Sequence, residues 1–162
     1  MRANQLVAVS GGSRRSLEAY WYLLDPLASL LPAGNPRHLQ GAWTASDLER
    51  IGVADRVLVL GAPLAAIEAV LALERQGHRG AVRLVSPRGL LHTVRVGIAP
   101  EVAEHLAALR AAGRLDVCAG DVTGAAAYGD TFVVDILPRG RTLHSSERYD
   151  WIVSCVPERD QR

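Results

Sequence analysis

Residues 56–80, RVLVLGAPLAAIEAVLALERQGHRG, contain an arrangement of residues that can bind phosphate groups. A continuous apolar run, Val57–Leu60, predicts a strand buried on both faces, and Gly61 follows it directly. A helix is predicted over Pro63–Gln76, with Gly77 as its left-handed C-cap. A glycine between strand and helix allows a tight turn, and the free N–H groups of a helix N-terminus attract anions. The stretch therefore has the layout of a dinucleotide-binding turn.

Pro63 departs from that layout, because it stands where such a turn has its second glycine. Its ring occupies space that a pyrophosphate would approach, and it lacks the N–H that would donate to a phosphate oxygen. Proline nevertheless starts helices well, so the fold tolerates it. Two interpretations stay open, a nucleotide site and a purely structural turn. The candidate cofactor-binding residues in this region are Gly61, Ala62, Pro63, Leu64 and Glu68.

The end of the second predicted strand, Ala81–Ser86, bears on which nucleotide would bind. NAD-specific sites carry an acidic residue there, which accepts hydrogen bonds from the ribose hydroxyls. This sequence instead has Ser86 and Arg88, and a guanidinium suits a 2′-phosphate. If a nicotinamide cofactor binds, NADP(H) is therefore expected rather than NAD(H). The alternative is an arginine on a solvated loop.

The sequence leaves the catalytic residues open. In open α/β sheets, ligands gather beyond the carboxyl ends of the strands, where acid–base side chains would have to converge. Cys118 and Cys155 end apolar strands and are expected to be packing residues. The five histidines show no metal-ligand spacing, so no metal site is expected. The acid–base candidates at the strand ends are His92, Asp121, Glu158 and Asp160.

The remaining elements predict how these residues are positioned. A second helix begins at Pro100 and is closed by Gly113, and the last apolar strand is Trp151–Val156. Between them, the pattern changes to the alternation typical of an antiparallel meander. The predicted strands of this part are Leu115–Cys118, Asp121–Ala126, Thr131–Leu137 and Arg141–Ser146. With right-handed crossovers, this order predicts a Rossmann-like, three-layer α/β domain with a parallel sheet and an antiparallel β-meander.

The segment before Arg56 contains further predicted elements. These are a strand at Gln5–Val9, a helix at Ser16–Leu24, a loop over residues 32–43 and a short helix, SDLERI, with a Ser46/Glu49 capping box. The stretch Leu17–Leu31 is the most apolar in the chain but is too short and too charged for a membrane helix. We expect part of it to contact a second copy of the chain or a partner protein, with burial under the sheet edge as the alternative.

Composition narrows the class of protein. The 162 residues suit one domain, and a formal net charge of +1 implies no attraction to nucleic acid or to an anionic membrane. All 18 basic residues are arginine, which excludes Schiff-base chemistry on lysine. The N-terminus does not have the pattern of a signal peptide, and two cysteines make no disulfide framework. The expected location is therefore the cytoplasm.

Residues 56–156 resemble the nicotinamide-binding domain of flavoproteins that have two dinucleotide-binding domains. GAPLAAIE keeps the spacing of their GxGxxAxE motif at Gly61, Ala66 and Glu68. The segments GHRGAVRLVSPRGLL, IAPEVAEHLAALRAAGRLDVCAGDV and DWIVSCVPERD are similar, in the same order, to a bacterial family of FAD/NAD(P)-binding proteins. The resemblance implies a nucleotide in the crevice at the strand ends and a role beside a flavin.

The departures from that family concern its glycines and its length. Three positions where the family brings backbone close to a cofactor carry other residues here, namely Ser13, Pro63 and Val156. The residues before Arg56 are too few to build an FAD domain, so no FAD is expected within this chain alone. The expected organisation is an N-terminal segment, 1–54, which resembles a remnant of an FAD-binding segment, a dinucleotide-binding-type domain, 55–157, and a tail, 158–162.

Three functions remain compatible with the sequence. The first is an NADP(H)-binding component of an oxidoreductase that obtains its flavin from a partner. The second is a cofactor-independent enzyme, such as a cyclase or isomerase acting on a small metabolite in the same crevice. The third is a non-catalytic subunit that docks on itself or on a partner through Leu17–Leu31. The fold alone does not choose among them.

Overall fold

The computed structural model describes residues 27, 30–32, 34–40, 43–61, 63–87, 89 and 98–155. The predicted strand Gln5–Val9 and helix Ser16–Leu24 lie outside this part of the chain. The strands are β1 (His38–Leu39), β2 (Val57–Gly61), β3 (Val82–Ser86), β4 (Leu115–Tyr128), β5 (Thr131–Pro138), β6 (Ser145–Tyr149) and β7 (Trp151–Cys155). The helices are α1 (Ala45–Leu48), α2 (Pro63–Arg75) and α3 (Pro100–Ala111).

The described strands form one seven-stranded sheet in the order β1-β7-β2-β3-β4-β5-β6. Pairing is parallel from β1 through β4 and antiparallel among β4, β5 and β6. The chain crosses from β2 to its parallel neighbour β3 through α2, and from β3 to β4 through the segment that contains α3. This confirms the predicted Rossmann-like α/β domain with a parallel sheet and an antiparallel meander.

Two apolar cores lie on opposite faces of the parallel sheet, because successive strand residues point to opposite sides. On one face, Val57 and Val59 pack with residues of the helices, such as Ala66 and Leu106. On the other face, the side chains come from the alternate strand positions, from the meander and from the N-terminal segment. These are Leu58, Leu60, Val85, Ile152, Phe132, Val134, Ile136, Tyr149, Cys118, Leu27 and Leu31. Meander residues therefore pack on the face of the parallel sheet opposite to the helices.

A network of charged groups joins the meander to the parallel sheet. Arg83 on β3 donates from Nη1 to Oε1 of Glu147 on β6. Oε2 of Glu147 accepts from Arg56 at 3.2 Å and from the Tyr149 hydroxyl at 2.8 Å. Asp116 on β4 completes the network, with its Oδ2 3.1 Å from Arg83 Nε. The Arg83 and Glu147 side chains are only 16% and 27% exposed, so solvent screens their attraction incompletely.

Strand β4 differs from its prediction. The sequence predicts separate strands over Leu115–Cys118 and Asp121–Ala126, but the chain continues as one strand of 14 residues. Its first part, through Ala119, pairs with β3, and from Gly120 onward it pairs with β5. A Cβ at Gly120 would lie 2.6 Å from the Leu137 carbonyl oxygen, so glycine lets the strand pass close to β5. The change of period marks a change of neighbour and not a break in the strand.

The strand predicted over Arg141–Ser146 is displaced to Ser145–Tyr149. Residues 139–144 instead form a turn and an irregular connection, with the Arg141 N–H donating to the Pro138 carbonyl at 3.0 Å. Strand β6 pairs with β5 from Phe132↔Tyr149 to Ile136↔Ser145. In this register the side chain of Tyr149 is buried, with 1% of its surface exposed. Burial of this ring fixes the strand position, which local alternation of residue types does not reveal.

Two smaller predictions for the N-terminal part are also wrong. The predicted loop over residues 32–43 contains the two-residue strand β1, which pairs with β7. His38 Nε2 lies 3.0 Å from Ser154 Oγ, and both side chains are buried.

Helix α1 is capped by Thr44 and Asp47, and not by Ser46 and Glu49. The hydrogen bonds from the Thr44 backbone N–H and hydroxyl lower the pKa of Asp47 and begin the helix earlier than predicted.

Candidate functional site

The carboxyl ends of four parallel strands meet at one edge of the sheet. Gly61 at the end of β2 is opposite Cys155 at the end of β7, and Ser86 at the end of β3 is opposite Ala119 of β4. Leu60 opposite Val85 links the two pairs. We call Gly61, Ser86, Ala119 and Cys155 the carboxyl edge. This is the place at which open α/β sheets bind ligands.

Gly61 makes the closest backbone contact of the carboxyl edge. Its φ is +118°, a conformation that residues with a side chain rarely adopt. A Cβ at this position would lie 2.2 Å from the Cys155 carbonyl oxygen and 2.6 Å from its carbonyl carbon. The strand-to-helix turn and the approach of β7 to β2 therefore both require glycine.

Helix α2 begins two residues after Gly61, and the backbone N–H groups of its first turn point out of its N-terminal end. Pro63 occupies the first helical position, so the N–H groups of Leu64 and Ala65 have no acceptor within the helix. Leu64 is 48% exposed, whereas Ala66 is fully buried against the sheet. Ala62 lies outside the described residues and its methyl group offers no capping oxygen. Among the described residues these two backbone donors have no acceptor, and donors in this position attract anions.

Ser86 is engaged within its own loop. The residue is fully buried, and its hydroxyl donates to the Gly89 carbonyl at 2.9 Å. Gly89 has a φ of +62°, which closes the turn. Ser86 thus fixes the start of the loop that carries Arg88. Arg88 itself lies outside the described residues.

Cys155 is a buried thiol in the helix-face core. It is 1% exposed, and burial raises the pKa of its thiol to about 12, opposed by a hydrogen bond with Trp43 and reinforced by the charge of Glu68. Glu68 is exposed on α2. Cys118 is likewise buried, in the core that the meander covers. Both thiols pack as predicted from the sequence.

One of the four acid–base candidates lies in the described part of the chain. Asp121 follows Gly120 on β4; partial burial raises the pKa of its carboxyl group, and the positive charge of Arg139 opposes this. His92, Glu158 and Asp160 lie outside the described residues, so their convergence with Asp121 stays a prediction.

Sequence reasoning missed an open cleft between the first part of β4 and the β5–β6 connection. Its volume is about 540 Å³. We call it the meander cleft, because the turn that forms its outer wall belongs to the meander. The sequence predicts a strand over Arg141–Ser146, and the cleft can be predicted only when β6 is placed later, at Ser145–Tyr149. Its lining residues are Arg83, Asp116, Val117, Cys118, Ala119, Pro138, Arg141, Thr142 and Leu143.

Among the described residues, no group of three or more histidine, cysteine, aspartate or glutamate side chains is placed to hold a metal ion. Of the helices that the structure describes, even the 13-residue α2 is too short to cross a lipid bilayer.

Comparison with known proteins finds likeness in structure but not in sequence. The sequence matches no protein-family model and no curated protein. The lysine monooxygenase NbtG from Nocardia farcinica, described with an unprecedented conformation of its NADPH domain, matches with a TM-score of 0.56, 20% identity and 76% of this chain covered. L-lysine 6-monooxygenase from Pseudomonas syringae matches with a TM-score of 0.60, 15% identity and 85% covered.

A third match is the ornithine N-hydroxylase from Kutzneria sp. 744, whose structure was determined with reduced FAD, NADP⁺ and L-ornithine. Its TM-score is 0.59, with 16% identity and 78% of this chain covered. The chain spans 37%, 43% and 42% of these three proteins, respectively. At such identities the likeness shows the fold alone.

Proposed function

We propose that this chain is an NADP(H)-binding domain of the flavoprotein type and that it acts as a component of an oxidoreductase whose flavin is held by a partner. The observation that carries the proposal is the carboxyl edge, at which Gly61 brings β2, β7 and the N-terminus of α2 together. The likeness to proteins with NADPH-binding domains supports the same ligand.

The residues at the edge fit a nucleotide that is held by fewer contacts than usual. The N–H groups of Leu64 and Ala65 are free to donate to a pyrophosphate. Pro63 removes one donor and narrows the approach, which weakens binding without abolishing it. The exposed carboxylate of Glu68 lies one turn further along α2. The crevice can therefore still bind an anion through the N–H groups of Leu64 and Ala65, with one hydrogen bond fewer because Pro63 has no N–H.

The choice between nucleotides depends on the loop after Ser86. The hydroxyl of Ser86 fixes the first residues of that loop by its bond to Gly89. Arg88 lies between them in sequence, and no acidic residue follows β3 to accept from a ribose hydroxyl. Arg88 would pair with the 2′-phosphate of NADP(H), which NAD(H) lacks. A bound nicotinamide supplies or accepts a hydride; the residues of this chain bind and orient it.

Calorimetric titration tests the proposal directly. We expect NADPH to bind the wild-type protein more tightly than NADH, and Arg88→Ala to weaken NADPH binding roughly tenfold, because a charge-assisted contact to phosphate is lost. Arg79→Ala is the matched control, since Arg79 is exposed in the turn that precedes β3, at the opposite end of the strand. Absence of binding at millimolar NADPH would overturn the proposal, as would equal losses in the two variants.

Replacing Pro63 tests whether the turn is a weakened nucleotide site. Pro63→Ala restores an N–H donor, and Pro63→Gly also removes the ring and the Cβ. We expect both variants to bind NADPH more tightly than wild type, with Pro63→Gly tighter by roughly tenfold, because an amide hydrogen bond to a charged oxygen is regained. Titration of the three proteins side by side makes the measurement. Unchanged affinity in both variants would favour a purely structural turn.

A further inference from the structure

The meander cleft contains a guanidinium group that has no acidic partner among the residues that the structure describes. Arg141 lies on its rim, exposed, and no ion pair or side-chain hydrogen bond joins it to another residue in the described part of the chain. The other arginine of the cleft, Arg83, is held by Glu147 and lies beside Asp116. Of the two arginines that the structure describes in the cleft, Arg141 is therefore the one available to a ligand.

The open edge of β4 supplies a backbone donor to the same cleft. The Val82 N–H donates to the Arg114 carbonyl at 2.9 Å, and the register pairs Val82 with Leu115 and Leu84 with Val117. In a parallel ladder, alternate residues bond to the same neighbour, so the peptide groups of Val117 point away from β3. Pairing with β5 begins only at Gly120. The Val117 N–H thus faces the cleft without a strand partner.

Apolar residues form another part of the cleft wall. Cys118, Ala119 and Pro138 line it beside the hydroxyl group of Thr142, and Leu143 stands at its rim with 81% of its surface exposed. Exposure of a leucine to this degree leaves apolar surface that a ligand could cover. The volume of about 540 Å³ falls within the range of small-molecule sites. An apolar wall with few polar groups is the usual composition of such sites.

We propose that the meander cleft binds a small organic monocarboxylate that carries an apolar chain. The carboxylate pairs with Arg141 and accepts from the Val117 N–H, and the chain covers Leu143. A single free guanidinium matches one negative charge, and the carboxylate of Asp116, 67% exposed in the same cleft, disfavours a polyphosphate. This site is distinct from the α2 N-terminus, and the proposal does not depend on nucleotide binding.

Amide chemical-shift mapping with hexanoate as the probe tests the proposal. We expect saturable shifts of the amides of residues 116–119 and 139–143 at ligand concentrations up to about 10 mM. Arg141→Gln should weaken hexanoate binding roughly tenfold, since the charged contact is lost. Arg110→Gln is the matched control, because this exposed arginine lies on α3, which packs on the opposite face of the sheet, and it should leave binding unchanged.

The dependence of affinity on the length of the ligand's apolar chain distinguishes the contribution of Leu143 from that of Arg141. Hexanoate should bind the wild type more tightly than acetate does, and Leu143→Ser should reduce that difference while NADPH affinity stays unchanged. Hexylamine, the cationic probe, should not bind. The proposal is overturned if hexanoate produces no saturable shifts, if Arg141→Gln binds it as the wild type does, or if NADP⁺ displaces it from the cleft.

Discussion

Replacing Gly61 with alanine is expected to lower the free energy of unfolding by at least about 3 kcal/mol, combining backbone strain with overpacking. The added Cβ would lie 2.2 Å from the Cys155 carbonyl oxygen, and the backbone φ of +118° is unfavourable for any residue with a side chain. The added Cβ and the Cys155 carbonyl group are both held in place by the backbone, so no side-chain rotation relieves the clash. Either β7 moves away from β2 or the turn into α2 changes.

Urea denaturation followed by circular dichroism measures the effect, with Gly129→Ala as the control. Gly129 also has a positive φ, +59°, but nothing lies within 4 Å of a Cβ added there. Its replacement should cost about 1 kcal/mol, from backbone strain alone. A Gly61→Ala variant that loses no more stability than Gly129→Ala would show that the close approach of β7 is relaxed in solution.

The same glycine illustrates what could be predicted from the sequence. The apolar run Val57–Leu60 and the glycine after it predict strand and turn, because a buried parallel strand has no polar face. Gly77 and Gly113 predict the ends of two helices and have φ of +86° and +71° in the structure. Convergence of strand ends follows from parallel pairing itself. These features depend on local sequence and general geometry, which is why they were predictable.

The errors fall where long-range contacts decide the structure. Strand β4 continues through Gly120 because β5 pairs with it there, and the strand β6 begins at Ser145 because Tyr149 is buried. Gly120 pairs with Pro138 at the far end of β5, and Tyr149 is buried in the same core as Leu58 of β2, so neither contact can be read from neighbouring residues. The hydroxyl of Ser86 donates to the Gly89 carbonyl, since a buried hydroxyl requires an acceptor, and the sequence pattern at the end of β3 does not predict this bond. The meander cleft was missed for the same reason as the start of β6.

Replacing Glu147 with alanine is expected to lower the free energy of unfolding by about 2–3 kcal/mol at neutral pH, because it leaves a largely buried guanidinium with only the exposed carboxylate of Asp116 as a counter-ion. Arg83 loses its carboxylate partner, and the Tyr149 hydroxyl loses its acceptor. The control is Arg148→Ala, on the same strand but exposed, which should change stability by less than about 0.5 kcal/mol. Thermal and urea denaturation of the three proteins give the comparison, and equal stability of the two variants would contradict the prediction.

The pH dependence of stability identifies the charge of Glu147 as the cause. The hydrogen bond from Arg83 lowers the pKa of Glu147; partial burial opposes it, and Tyr149 and the charges of Arg83 and Arg56 lower it further. A carboxyl group with a lower pKa in the folded state contributes stability above its unfolded pKa of about 4.3, and this contribution disappears as the pH falls through the folded value. Glu147→Gln keeps the shape but cannot ionise, so its stability should fall less steeply than that of the wild type below about pH 5. Parallel curves for the two proteins would mean that packing of Tyr149, and not the ion network, holds the meander on the sheet.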